Sequence, residues 1–176
     1  MAAAAVAAVI AAGYGYQVHY LEHRYEDTGR YQDLNRALAW ARDVRGARIA
    51  LGGIRAVFTQ LPFYGDDLSN RVQWLGRRIA DGGYARIGTC RAWRKALDAG
   101  HYEFVVTTFD PYLPDGLTNT PEGRWTGSAP QAKVVLRQGP VSVFRITGPL
   151  NPAGCKGQRP LSERQLHGVP DPTRKA

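Results

Sequence analysis

The densest mixture of aromatic and polar side chains in the chain is Gln60-Leu61-Pro62-Phe63-Tyr64-Gly65-Asp66-Asp67-Leu68-Ser69-Asn70. Aromatic rings stack on the apolar faces of a sugar while carboxylates and amides hydrogen-bond its rim. Tyr64, Asp66, Asp67 and Asn70 therefore form one half of a candidate substrate-binding set. The other half is Asp110 and Tyr112, in Thr107-Thr108-Phe109-Asp110-Pro111-Tyr112. Both halves have plainer readings. Such a loop also anchors itself by tucking an aromatic ring inward, and Asp before Pro is a common turn residue. Asp66 and Asp67 do not make a metal site, because neighbouring side chains on a short loop diverge and no second acidic cluster supports them.

Other chemistries find little support. The chain carries no hydrolase triad signature, Walker loop or zincin motif, so no catalytic residue is assigned. Two cysteines and four histidines at none of the usual ligand spacings predict no metal and no cofactor. Gly52-Gly53 lacks the G-x-G-x-x-G pattern and reads as a tight turn before it reads as a phosphate cradle. In an exported domain, Cys90 and Cys155 would form one disulfide tying the C-terminal tail to the body; in the cytosol they would remain two thiols. Trp93, with Leu97 four residues on, reads as core. Arg91, Arg94 and Lys95 read as the solvated surface of the same helix.

The elements that must position these residues follow from periodicity. Leu34, Ala37, Leu38, Ala41 and Val44 recur at intervals of three and four, which predicts a helix ended by Gly46 and followed by the strand Ala47–Leu51. Downstream, Thr89 caps a predicted helix over Cys90–Ala99, and Tyr102–Thr107 follows as a β-branched and aromatic strand. Two such helix-to-strand units imply a parallel sheet. Asn70–Gly76 alternates apolar and polar residues as a third strand, and Lys133–Leu136 with Val141–Ile146 predicts an antiparallel hairpin added at the edge. The expected fold is a small Rossmann-like α/β sandwich with a mostly parallel sheet and a C-terminal hairpin. Binding loops in such a sheet sit beyond the carboxyl ends of the strands, where Arg77-Arg78 also falls.

Every Asp, Glu, Lys and Arg lies after Leu21. An uncharged stretch of this length, wound as a helix, spans roughly 30 Å, the hydrocarbon thickness of a bilayer. Residues 1–21 are accordingly expected to form an apolar transmembrane helix, with Tyr14, Tyr16 and Tyr20 at the interface. A secretory signal cleaved after Ala12, or an Ala-rich leader on a soluble protein, remains the alternative; no basic residue precedes the apolar run as signals usually require. Residues 22–150 make one α/β domain, and residues 151–176, with Pro160, Pro170 and Pro172, an irregular and disordered tail. The net charge of +8 comes from 19 Arg and 4 Lys spread along the chain, never in a block. No nucleic-acid partner is expected, although a basic nucleic-acid-binding protein is one alternative.

In order, the apolar helix, Tyr20-Leu21-Glu22-His23-Arg24-Tyr25, Tyr64–Trp74, Cys90-Arg91-Ala92-Trp93 and Tyr102–Thr107 resemble the carboxyl-terminal end of bacterial polytopic glycosyltransferases of the protein mannosyltransferase-like class. The resemblance covers most of Val18–Cys155. It implies a soluble domain outside the cytoplasm, behind the last of many spans in the bacterial cell membrane, serving an enzyme that uses a lipid-phosphate-linked sugar. In that class the catalytic acidic residue lies in an early extracytoplasmic loop, which this sequence lacks. The expectation is an accessory domain or fragment contacting a lipid-linked sugar or glycan acceptor, inactive alone. Arg24, Arg30 and Arg36 oppose that orientation for a lone span, though earlier helices can dominate topology. A soluble α/β small-ligand or nucleotide-binding protein is the competing reading.

Overall fold

The computed structural model describes residues 6, 9–19, 32–53, 60–80, 82–108, 120–162 and 165–166. Residues 9–19 are helical (α1) and leave Val9, Ile10, Tyr14 and Tyr16 exposed. Among the described residues no helix is long and apolar enough to cross a membrane. Residues 1–5, 7, 8, 20 and 21 of the expected helix lie outside the described residues.

The first helix-to-strand unit is α2, Gln32–Arg42, followed by β1, Arg48–Gly52. The apolar stripe of α2 delivers Leu34, Ala37 and Ala41 into the core, as its spacing predicts. Next come β2, Arg71–Trp74, and a small antiparallel ribbon of β3, Arg77–Arg78, with β4, Tyr84–Ala85. The second unit is α3, Cys90–Gly100, and β5, Phe104–Thr107. Thr89 caps α3, its hydroxyl accepting from Ala92 N at 3.3 Å. Gly100 lies inside α3 rather than beyond it. A Cβ there would fall 2.1 Å from the Tyr102 ring, so close packing demands the glycine, and His101 takes the left-handed turn at φ 49°. The short helix α4, Pro121–Gly127, and the hairpin β6, Ala132–Gln138, with β7, Val141–Ile146, complete the body.

The five-stranded sheet has the order β2-β1-β5-β7-β6. β1 pairs in parallel with both β2 and β5, as two helix-to-strand units require. The hairpin joins through β7, antiparallel to β5, so β7 alone runs against the other strands of the sheet and β6 forms the edge. Alternation along the strands then sorts the core into two layers. Ile49, Leu51, Val106, Val141 and Val143 meet α2 and Phe63 on one face. Ala50, Val105 and Phe144, aligned in one cross-strand row, meet Trp93, Leu97 and Trp125 on the other. Each large side chain buried here contributes roughly 1.5–3 kcal/mol from area removed from water.

The ordered body extends past the expected boundary at residue 150. Leu150 and Leu161 are buried in the α3 layer, Leu166 packs against it, and Leu161 N donates to Gly88 O at 2.8 Å. The segment is irregular, as its prolines predict, yet two well-placed leucines fasten it. Residues 163–164 and 167–176 of the expected tail lie outside the described residues.

Candidate functional site

Two loop clusters bear on function, at opposite edges of the parallel strands. The carboxyl edge is built where β1 and β5 end and β7 begins: Gly52, Thr107 and Ser142 lie side by side in register. Thr108 closes the row, its N–H and hydroxyl both donating to Gly52 O, at 3.2 and 3.4 Å. Above Gly52 sit Trp93 and Glu122. A Cβ on Gly52 would meet the Trp93 ring at 2.9 Å and Glu122 Cβ at 3.4 Å, so this glycine answers to packing. Nothing about it calls for a phosphate.

Glu122 belongs to the first turn of α4, whose cap is Thr120, the hydroxyl accepting from Gly123 N at 3.2 Å. Its carboxylate meets Arg86 in a two-pronged pair: Arg86 Nε donates to Oε1 at 2.8 Å and a terminal nitrogen to Oε2 at 2.5 Å. Both side chains are buried. Trp93 Nε1 donates to Thr126 Oγ1 at 2.9 Å, and that hydroxyl donates to Glu122 O at 2.8 Å. Both Glu122 oxygens accept from one guanidinium, which fits a group that fixes α4 over the sheet better than one that passes protons. Arg77 and Arg78, the adjacent arginines expected near this edge, are exposed on the β3–β4 ribbon.

The amino edge carries the Tyr64–Asn70 loop. Phe63 is tucked in at 1% exposure and anchors it. Asn70 is buried, and its amide closes the loop onto the end of α2: Oδ1 accepts from Ala47 N at 3.0 Å, while Nδ2 donates to Val44 O at 2.8 Å and Phe63 O at 3.2 Å. Ser69 Oγ accepts from Gly46 N at 2.8 Å, and Asp67 accepts from Ser69 N at 3.1 Å and pairs with Arg45 at 2.5 Å. The Ser69 hydroxyl first, then Arg45 and the Ser69 N–H, hold the Asp67 carboxyl down at about 2. Asp67 and Asn70 are therefore engaged within the protein, whereas Tyr64 is half-buried and Asp66 exposed at the surface of the same loop.

Asp110 and Tyr112 lie outside the described residues. The segment that carries them leaves and re-enters at the carboxyl edge, where Thr120 N donates to Thr108 O at 3.4 Å. β1 separates that edge from the Tyr64–Asn70 loop by about 15 Å at the usual rise per strand residue. Thr108 and Thr120, the described residues flanking that segment, thus stand at the opposite end of the parallel strands from the Tyr64–Asn70 loop.

Sequence reading missed two buried cations. Arg94 was expected on a solvated surface, but it is 1% exposed. Its guanidinium donates twice to Trp125 O, at 3.1 and 2.9 Å, once to Ser128 Oγ at 2.9 Å and once to Asn151 O at 2.7 Å. Burial pulls its pKa below the usual arginine value. Asp98, on the same helix, accepts from Leu150 N at 2.8 Å, so α3 holds the C-terminal segment at two points. A third is covalent, because Cys90 and Cys155 are joined in a disulfide with Cα atoms 5.7 Å apart. Among the described residues no group of three or more acidic, histidine or cysteine side chains is arranged to hold a metal. No protein-family model matches the chain, and no curated protein or solved structure is recognisably similar to it.

Proposed function

We propose that this chain acts outside the cytoplasm as an accessory domain of a bacterial membrane glycosyltransferase, a Rossmann-like body tethered by its apolar amino-terminal helix. The observation that carries the reading is the Cys90–Cys155 disulfide, which uses both cysteines of the sequence. Disulfides persist in oxidising compartments and are rare in the cytosol. The exposed Val9, Ile10, Tyr14 and Tyr16 of α1 add support, since a helix that exposes apolar residues on several sides is poorly matched to water. Within the reading, Tyr64 and Asp66 contact a lipid-linked sugar or glycan acceptor from the amino edge, and Asp110 and Tyr112 supply a separate contact from the segment rooted at the carboxyl edge. The domain binds and orients, and the transfer chemistry belongs to an acidic residue on another part of the enzyme.

The test is made on the full chain expressed in bacteria. Membrane fractionation and alkylation of intact cells should find it in the membrane, with Cys90 and Cys155 protected until a reductant is added. Recovery in the aqueous phase without detergent, or immediate alkylation of both thiols, would overturn the proposal.

A further inference from the structure

The amino edge holds a second set of polar groups, on the α3 side of the sheet. Arg48 and Arg71 are register partners in the parallel pair β1–β2. Such partners point their side chains the same way, from backbones about 4.8 Å apart. Alternation sets the direction: Ile49, Val72 and Trp74 pack into the α2 layer, so Arg48, Arg71 and Gln73 all belong to the opposite face. The bond between Gln73 and Tyr102, a member of the α3 layer, agrees with that placement.

Three donor-bearing side chains are thus gathered with few acceptors to meet them. Like charges directly opposite one another on neighbouring strands destabilise a sheet. Among the described residues ion pairs form at Arg45–Asp67 and Arg86–Glu122, and neither Arg48 nor Arg71 enters one. Glu103, which flanks Arg48 on the β5 side, spends its Oε1 on the Arg48 backbone N–H at 3.3 Å rather than on the guanidinium. That guanidinium lies over the Tyr102 ring, 5.7 Å from its centroid, and its Nε has lost water without gaining a hydrogen bond. Tyr102 OH donates to Gln73 Oε1 at 2.6 Å, which fixes the carbonyl end of that amide and leaves its NH2 end to donate elsewhere. Tyr102, itself only 6% exposed, therefore orients two of the three side chains. Arg71 and Gln73 are exposed on β2, an edge strand of the sheet, so the cluster is preorganised and open to solvent.

We propose that Arg48, Arg71 and Gln73 bind a phosphoryl group, free or as a monoester, with Tyr102 as their positioning residue. Two guanidinium forks and one amide supply donors for three terminal oxygens, and the negative charge offsets two cations that the strand register sets side by side. A planar carboxylate matches a single fork, whereas a tetrahedral group spreads its oxygens toward several donors. The site stands on this chain's own strands and does not depend on a glycosyltransferase partner.

The experiment titrates the full chain, in neutral detergent, with inorganic phosphate and with glycerol 3-phosphate in a calorimeter. Both should bind at one site; tighter binding of glycerol 3-phosphate assigns the ligand as an ester, and tighter binding of phosphate assigns it as the free ion. Sulfate should compete and acetate should not. Arg71→Gln should weaken binding roughly tenfold, and Gln73→Glu, which keeps an acceptor for Tyr102 but removes the donor, at least as much. Arg137→Gln removes the same charge from exposed β6 at the far edge of the sheet and should leave the affinity within about twofold. Equal losses in Arg71→Gln and Arg137→Gln would make the binding a property of net charge and overturn the proposal. Acetate competing as well as sulfate would overturn it too, as would no saturable binding of either probe below about 10 mM.

Discussion

The two faces of the sheet are held by different physics. On the α2 face the contacts are apolar and close, with Ala37 and Ala41 letting the helix lie down against Ile49, Leu51, Val106, Val141 and Val143. The α3 face has its own apolar row but adds a buried ion pair, a buried arginine bonded to three carbonyl or hydroxyl groups, an indole–threonine bond and a disulfide. Apolar packing is tolerant of small changes and non-directional, whereas each of these polar links is satisfied only by one partner in one place. The α3 face is also where the C-terminal segment attaches. Directional bonds fix segments whose sequence offers no regular secondary structure to fix them.

The comparison breaks most sharply at the Arg86–Glu122 pair. Glu122→Leu should destabilise by about 3–5 kcal/mol, because it leaves a buried guanidinium without its two acceptors. The double variant Arg86→Met/Glu122→Leu should recover most of that loss, since well-packed apolar residues often replace a buried pair at little cost. Urea denaturation of the three proteins reads both values. A double variant as weak as the single one would mean that the pair is needed for more than mutual neutralisation.

Arg94→Met ranks next. It keeps the stem that packs in α3 but removes the guanidinium's four hydrogen bonds, leaving Trp125 O with the Ser128 hydroxyl and Asn151 O with Gly154 N, for an expected loss of about 2–3 kcal/mol. The C-terminal segment should loosen first, so limited proteolysis near Asn151 should accelerate more than at β1. On the opposite face, Ala41→Leu should cost about 1–3 kcal/mol by overpacking the α2 seam, with no change in proteolysis at the C-terminal segment. An equal response at both places would remove the distinction between the faces.

These ranks also explain what the sequence made legible. The α2 face was readable because Leu34, Ala37 and Ala41 repeat with the helical period and Ala47–Leu51 is an apolar run; periodicity reports apolar burial directly. Arg94 obeys the same helical geometry, but nothing local tells a solvated arginine from one aimed at Trp125 O, 31 residues away in sequence. Glu122 and Arg86 are likewise separated by 36 residues. The Tyr64–Asn70 loop was legible as a loop and as an aromatic anchor, with Phe63 rather than Tyr64 the ring turned inward. The Tyr64–Asn70 loop precedes β2 and Thr108 follows β5, so in parallel strands they stand at opposite ends, a consequence of strand directions that the sequence already implied.

The smallest effect lies at the exposed Arg45–Asp67 pair, the solvent-facing counterpart of Arg86–Glu122. Both partners are open to water, so screening leaves this bridge little stabilising value. Its signature is in the pH dependence. The folded protein holds Asp67 at about 2, below its ordinary 3.8. Between those values the unfolded chain binds the proton more readily, so the stabilisation is whole above pH 4 and disappears as the pH falls toward 2. Asp67→Asn should therefore melt slightly below the parent at pH 5, with the gap closing by pH 2 and shrinking in 1 M salt. A gap that widens on acidification would place the stabilisation in the protonated form and overturn the assignment of Ser69 and Arg45 as its source.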